Sequence, residues 1–326
     1  MAAPQSPSPI TRATLSSCAA RQLSISPAQS EAVIKPRTAS IAKLLSLACW
    51  VLVFTSPTNA QKNKKGAEQL PPTMARTTTR HETARLSFGG TVNILGAPAG
   101  SITIQGWQRN EVEVTADIEL HAATPADLDR LAMLNNFVFD VDTDHIRILT
   151  TGTHDAKFMK RVAKNFPKTL LGLPWKIDFH INVPAMTDLE IDNGVGPIKL
   201  AGVEGAIRLT ALQTDADLSL TGGYVSGIIQ RGALHIDVPA RSWHGLGATI
   251  QLAAGTLDVS LLPGFSADID ATVLRLGEIK NSYPLLTSRE TNSITSRLLR
   301  ARAGAGGAKL SFTVGDGTIE IRQARQ

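Results

Sequence analysis

Cysteine is almost missing from this chain of 326 residues. The two that occur, Cys18 and Cys49, both precede Ala60, so everything after that point has neither a disulfide framework nor thiol chemistry. Long apolar runs are missing too. Leu44 to Phe54 is a run of eleven broken only by Ser46, well short of the roughly 18 residues a membrane-crossing helix needs. Preceded by Lys35, Arg37 and Lys43 and followed by Thr58 and Ala60, it has the form of a secretory signal cleaved after Ala60. The expectation is therefore that residues 1–60 are a leader with a signal peptide. The first 34 residues, rich in Ser, Ala and Pro, are either an unusually long leader or the product of a start placed too early.

A strong net charge is the third absence. The chain has 33 basic and 28 acidic residues, of which five and one fall in positions 1–60, leaving 28 against 27. A pI near 9.3 thus belongs mainly to the leader, and no global field favours nucleic acid. Residues 61–83, with Lys62, Lys64, Lys65, Pro71, Pro72 and Thr77 to Thr79, offer little that could pack and read as a flexible tether.

What is present is a run of apolar-x-apolar triplets. Leu189-Glu-Ile191, Ile198-Lys-Leu200, Ile207-Arg-Leu209 and Leu218-Ser-Leu220, then Ile228, begin 9, 9, 11 and 10 residues apart. Leu234-His-Ile236, Ile250-Gln-Leu252 and Leu257-Asp-Val259 continue the series. Period-two alternation makes each triplet a short strand with one buried face, and the Gly, Asn and Asp between them make turns. Strands of three residues cannot hide that face alone and must stack, which predicts an all-β, single-domain parallel β-solenoid over 84–323. The alternative is an antiparallel β-sandwich, whose strands usually run about 5 to 6 residues.

Before the triplets, Thr124-Pro125-Ala-Asp127 gives an N-cap, a proline at the first helical position and an acid at N3. With Leu128, Leu131 and Leu134 on one face it predicts a short helix over 125–135. Phe137 to Val141 and His145 to Ile148 flank Asp142-Thr-Asp144 and predict a hairpin. After Val273 the pattern loosens through Arg289, Arg297, Arg300 and Arg302. It recovers as Lys309 to Val314 and Gly317 to Ile321, two strands expected to close the last rung.

Several of these phrases resemble a bacterial family of exported domains of unknown function that carries a provisional adhesin name. They are Ile181-Asn-Val-Pro184, Leu189-Glu-Ile-Asp-Asn-Gly194-Val-Gly196-Pro-Ile-Lys-Leu200, Gly202-Val-Glu-Gly205-Ala-Ile-Arg-Leu209, and the closing Gly304 to Ile321. The resemblance covers about 86–323 and implies a parallel β-solenoid related to the head domains of auto-transporter adhesins. It departs from the family's pattern at Val225 to Gly245 and at the Arg-rich 284–303. It brings no catalytic residues.

The residues themselves indicate no catalytic group, cofactor or metal ligand. Asp215 and Asp217, Asp268 and Asp270, and Glu111 and Glu113 each share a strand face, as two carboxylates of a glycosidase would, but nothing in the sequence joins them to an Arg, Lys or His cluster. His235 with Asp237 and Asp178 with His180 lack the converging third ligand a metal needs. Ser260 and Ser288 have no nucleophile-elbow context, and Gly304 to Gly307 lacks the Lys and Ser or Thr of a phosphate loop. Positions 156–166 predict a basic amphipathic helix, with Phe158, Met159, Val162 and Phe166 on one side and Lys157, Lys160, Arg161 and Lys164 on the rest. Such a helix either rests on an anionic membrane or a partner, or covers the β-stack and leaves its lysines in water.

The expectation as a whole is a non-enzymatic adhesin-like protein, exported to the periplasm, outer envelope or cell surface. It would present a repetitive β surface to a glycan or an envelope protein, with peripheral membrane contact and no nucleic acid as partner. The alternatives are a carbohydrate-active enzyme on a β-helix fold and an envelope-associated regulatory subunit.

Overall fold

The computed structural model describes residues 74–162, 165–289 and 294–324. The expected leader and residues 61–73 lie outside them. In chain order the strands are β1 (Met74–Arg85), β2 (Thr91–Ala99), β3 (Ile102–Trp107), β4 (Glu111–Ala122), β5 (Asn136–Val141), β6 (His145–Thr151), β7 (Trp175–Pro184) and β8 (Asp188–Val195). They continue as β9 (Ile198–Ala201), β10 (Ala206–Ser219), β11 (Gly222–Val238), β12 (His244–Leu261), β13 (Ala267–Asn281), β14 (Leu286–Ser288), β15 (Leu298–Ala303) and β16 (Lys309–Gln323). Two short helices, α1 (Pro125–Ala132) and α2 (Ala156–Val162), interrupt the series.

The chain is all-β, and its described strands form one open, mixed sheet. The centre is parallel: β8 and β9 both pair with β10, followed by β11, β12, β16 and β13. Antiparallel pairs sit at the margins, β1–β4–β7 and β5–β6 at one end and β13–β15–β14 at the other. That distribution is not the two facing antiparallel layers of a sandwich.

The triplets are half-strands. Ile207 to Leu209 and Leu218 lie near the two ends of one continuous strand, β10, with Leu220 just beyond it, and the same joining occurs in β11 and β12. Within β10, β11, β12 and β16 the buried parity changes once. In β10 Ile207, Leu209 and Ala211 are buried, then Leu212 and Gln213 are exposed, then Thr214, Ala216 and Leu218 are buried. An unpaired step of this kind reverses which residues face inward, so both halves turn their apolar side to the same core. Stacked glycines mark the reversal. Gly232, Gly255 and Gly317 have φ of 145°, 143° and 146°, and a Cβ on any of them would run into the carbonyl of the strand below, at Thr214, Gly232 and Gly255 respectively. No side chain fits there.

The full repeat is therefore about twice the triplet spacing. Residues 18 apart stack from β8 to β10 and from β10 to β11, as in Leu189, Ile207 and Val225. From β11 to β12 the step is 23, Val225 to Ala248, and the extra length is the connection that buries Trp243, whose indole N–H donates to the Gly223 carbonyl at 3.1 Å. This accounts for the irregular stretch around Val225 to Gly245.

Three further expectations need correction. Residues 74–83, read as tether, are most of β1, which lies along β4 from Met74 opposite Ala122 to Arg85 opposite Glu111. Its side chains are polar and largely exposed, so backbone pairing holds it and no apolar alternation betrays it. The two closing strands are one, β16, and it does not end the stack but lies between β12 and β13. The far edge is instead β13 covered by β15 and β14, the Arg-rich segment.

The expected hairpin is present as β5 and β6. Helix α1 is capped as foreseen: Thr124 Oγ1 accepts from the Asp127 N–H at 3.2 Å and donates to the Asp127 carboxylate at 2.7 Å, with Leu128 and Leu131 buried.

Candidate functional site

Because parallel strands stack in strict register, side chains on the outer face line up into columns. One runs Thr103, Lys199, Asp217, His235, Asp258, Glu320 and Lys280 across β3, β9, β10, β11, β12, β16 and β13. Two positions on, Gln105, Ala201, Ser219, Asp237, Ser260 and Arg322 make a second column on the same face. Over β3, β9, β10 and β11 the two columns border an open groove of about 390 Å³ lined by Thr103, Gln105, Lys199, Asp217, Ser219, His235 and Asp237. Small Ala201 lies within it.

The groove has two electrostatic halves. Toward β12 and β16 the charges are mutually satisfied: Arg322 grips Asp258 through Nε and a terminal nitrogen, both at 2.8 Å, and His235 Nδ1 lies 3.2 Å from the same carboxylate. Toward β9 and β10, Lys199, Asp217 and Asp237 make no ion pair among the described residues. Those three are the groups open to a ligand.

The carboxylate pairs singled out from sequence fare differently. Asp268 and Asp270 are joined to a basic cluster after all. Arg302 Nε reaches Asp268 at 2.9 Å, Arg289 reaches Asp270 at 2.7 Å and Asp268 at 3.6 Å, and Lys309 reaches Asp270 at 3.0 Å. Spacing could not reveal this, since the cations arrive from β15, β16 and the segment after β14. The Arg302 hydrogen bond holds the Asp268 carboxyl below the usual carboxylate range.

Of the other acids singled out from sequence, Asp217 and Asp237 border the groove, while Asp215, Glu113 and Asp178 hold neighbouring strands. Asp215 accepts the Ala233 N–H at 3.2 Å. Glu113 accepts from the Asn182 amide at 2.9 Å. At Asp178 burial works against ionisation, but the Ser101 N–H and hydroxyl, at 2.7 and 2.8 Å, together with Lys176 draw its pKa down. Among the described residues no three His, Cys, Asp or Glu side chains converge where a metal ion could sit.

Helix α2 is shorter than the expected 156–166. Asp155 Oδ1 caps it by accepting from the Lys157 and Phe158 N–H groups at 2.8 and 3.1 Å, and Met159 anchors it in the core at 8% exposure. Lys157, Lys160 and Arg161 are exposed on it; Lys164 lies outside the described residues. Val162, assigned to the covered side, is 55% exposed.

No family model matches the chain, and no curated protein does. Solved structures do. A protein from Clostridium sporogenes, provisionally named for cell adhesion, is 12% identical, with 76% of this chain covering all of that one at a TM-score of 0.42. A provisionally named adhesin from Bacteroides fragilis is 12% identical over 75% of this chain and 97% of its own, TM-score 0.27. A provisionally named lipid-binding protein from Parabacteroides distasonis is 11% identical over 76% and 97%, TM-score 0.25. At such identities and superpositions, nothing passes from those names to this chain.

Proposed function

We propose that the parallel stack is the body of a β-solenoid, and that the protein is an exported, non-enzymatic component of the cell envelope or surface, adhesin-like, binding a glycan or protein partner along its outer polar columns. The observation that carries the reading is the column Thr103, Lys199, Asp217, His235, which sets one polar side chain on each successive strand beside an open groove. Strands in a ladder lie about 4.8 Å apart. An extended partner can meet several of them at once, and weak contacts tied together on one ligand reinforce each other. Support for a non-enzymatic role comes from Asp268, Glu119 and Asp316, whose carboxyls the hydrogen bonds from Arg302, Lys176 and Arg275 hold below the ordinary carboxylate range, and a carboxylate held ionised is a poor proton donor near neutral pH. Support for export is the apolar run before Thr58 and Ala60.

The test is a screen of the full chain against glycans and envelope proteins. A ligand should bind the parent and bind at least about tenfold more weakly, the loss of one good polar contact in affinity, when Lys199, Asp217 and His235 are changed together to Ala with unchanged melting. Full binding by that variant would remove the columns as the site, and cleavage of a bound glycan would overturn the non-enzymatic reading.

A further inference from the structure

From residue 156 to residue 177 the sequence contains no acid, yet Lys157, Lys160, Arg161, Lys164, Lys168 and Lys176 all fall there. Lys176 is committed to Glu119 and Asp178, at 3.1 and 3.2 Å. Lys157, Lys160, Arg161 and Lys168, by contrast, have no ion pair among the described residues. Next to them the ends of α1 and α2 border an open groove of about 680 Å³. Its apolar lining is Met133, Leu134, Val162, Phe166 and Pro167, with Arg130 and Arg161 at its edge.

Two of those apolar residues stand in water, Met133 at 75% and Val162 at 55% exposure. Each sits at the end of a capped helix, Met133 closing α1 and Val162 closing α2, whose first turn Asp155 caps and whose Met159 is buried. Unpaired cations call for an anionic partner, and exposed Met and Val beside them call for an apolar one. A soluble anion would leave Met133 and Val162 in water; a neutral bilayer would leave the cations unanswered. We infer that the surface shared by α1 and α2 docks on an anionic phospholipid bilayer, with Met133 and Val162 entering the boundary between headgroups and acyl chains and Lys157, Lys160 and Arg161 meeting lipid phosphates. This contact is separate from the polar columns and stands whether or not they bind a glycan.

The experiment uses the full chain and phosphatidylcholine vesicles with and without phosphatidylglycerol, reading both vesicle binding and hydrogen exchange by segment. Binding should require phosphatidylglycerol, weaken with salt, and slow exchange in α2 and around Met133. K157E/K160E/R161E should weaken it on the order of 100-fold, from the roughly 1 kcal/mol that each basic residue near an anionic surface contributes. M133D/V162D, which leaves those cations in place, should weaken binding by a smaller factor and make it more easily released by salt. Segment-resolved exchange separates this surface from any binding by residues 44–54. Equal binding to both vesicle types, no binding to either, or unchanged exchange at α2 in vesicle-bound protein would overturn the inference, as would parent-level binding by both variants.

Discussion

The middle of the sheet and its N-terminal end solve one problem differently. In β10, β11, β12 and β16 a single strand serves both halves of the core, passing the parity reversal without a break. At the N-terminal end separate strands do the work: β6, β2 and β8 build one half-ladder and β4, β7, β3 and β9 the other. Where the halves are one strand, backbone continuity joins them. Where they are not, two-residue links join β2 to β3 and β8 to β9, and side chains add to them. Arg80 of β1 sets its guanidinium 4.4 Å from the centre of the Phe137 ring on β5 and donates to the Phe137 carbonyl and the Asn136 side chain at 2.6 and 3.1 Å. Phe137 then meets Phe179 of β7 edge-on at 5.6 Å. The middle joins its halves within single strands, the N-terminal end through short links, a shared core and the contacts around Phe137.

The largest blow to the middle should come from Phe312→Ala, which empties a fully buried site on β16 and should cost about 3–5 kcal/mol in urea denaturation. Gly255→Ala should cost about 3 kcal/mol, adding a carbonyl collision to the strain of positive φ. Gly264→Ala, at φ 77° with nothing within 4 Å, should lose only about 1 kcal/mol. Equal losses at the two glycines would show that stacking adds nothing to strain. At the N-terminal end Arg80→Ala should cost about 1 kcal/mol globally while speeding hydrogen exchange in β5 and β6 and sparing β11 and β12. Uniform acceleration would erase the contrast between the two regions.

The smallest effect concerns pH. Asp268 has a folded pKa below its ordinary value, so its contribution is complete above the ordinary carboxylate range and disappears as pH falls through the depressed value. Asp268→Asn should therefore be destabilising at neutral pH and match the parent in strong acid; a constant difference would mean that packing, not charge, is lost.

Sequence alone disclosed what local pattern encodes. Alternating Leu and Ile revealed the half-strands, Thr124 and Pro125 the start of α1, and Asp142 to Asp144 the hairpin. Joining two triplets into one strand depended on glycines that read equally well as turns, because the carbonyls that Gly232, Gly255 and Gly317 must clear belong to Thr214, Gly232 and Gly255, all far away in sequence. Strand β1 was hidden because edge pairing by the backbone leaves no trace in hydropathy. The basic partners of Asp268 and Asp270 were hidden for a related reason: spacing along the chain carries no record of which strand lies alongside. Lys199, Asp217 and His235 were visible only as outward residues of separate triplets, and their alignment depends on an 18-residue register.

The placement of β16 governs the order of assembly. β12 and β13 emerge from synthesis before the strand that must lie between them, so neither can complete its hydrogen bonding on that side while the chain is still growing through residues 282–308. Folding of this half of the domain is thereby postponed until residues 309–323 have been made.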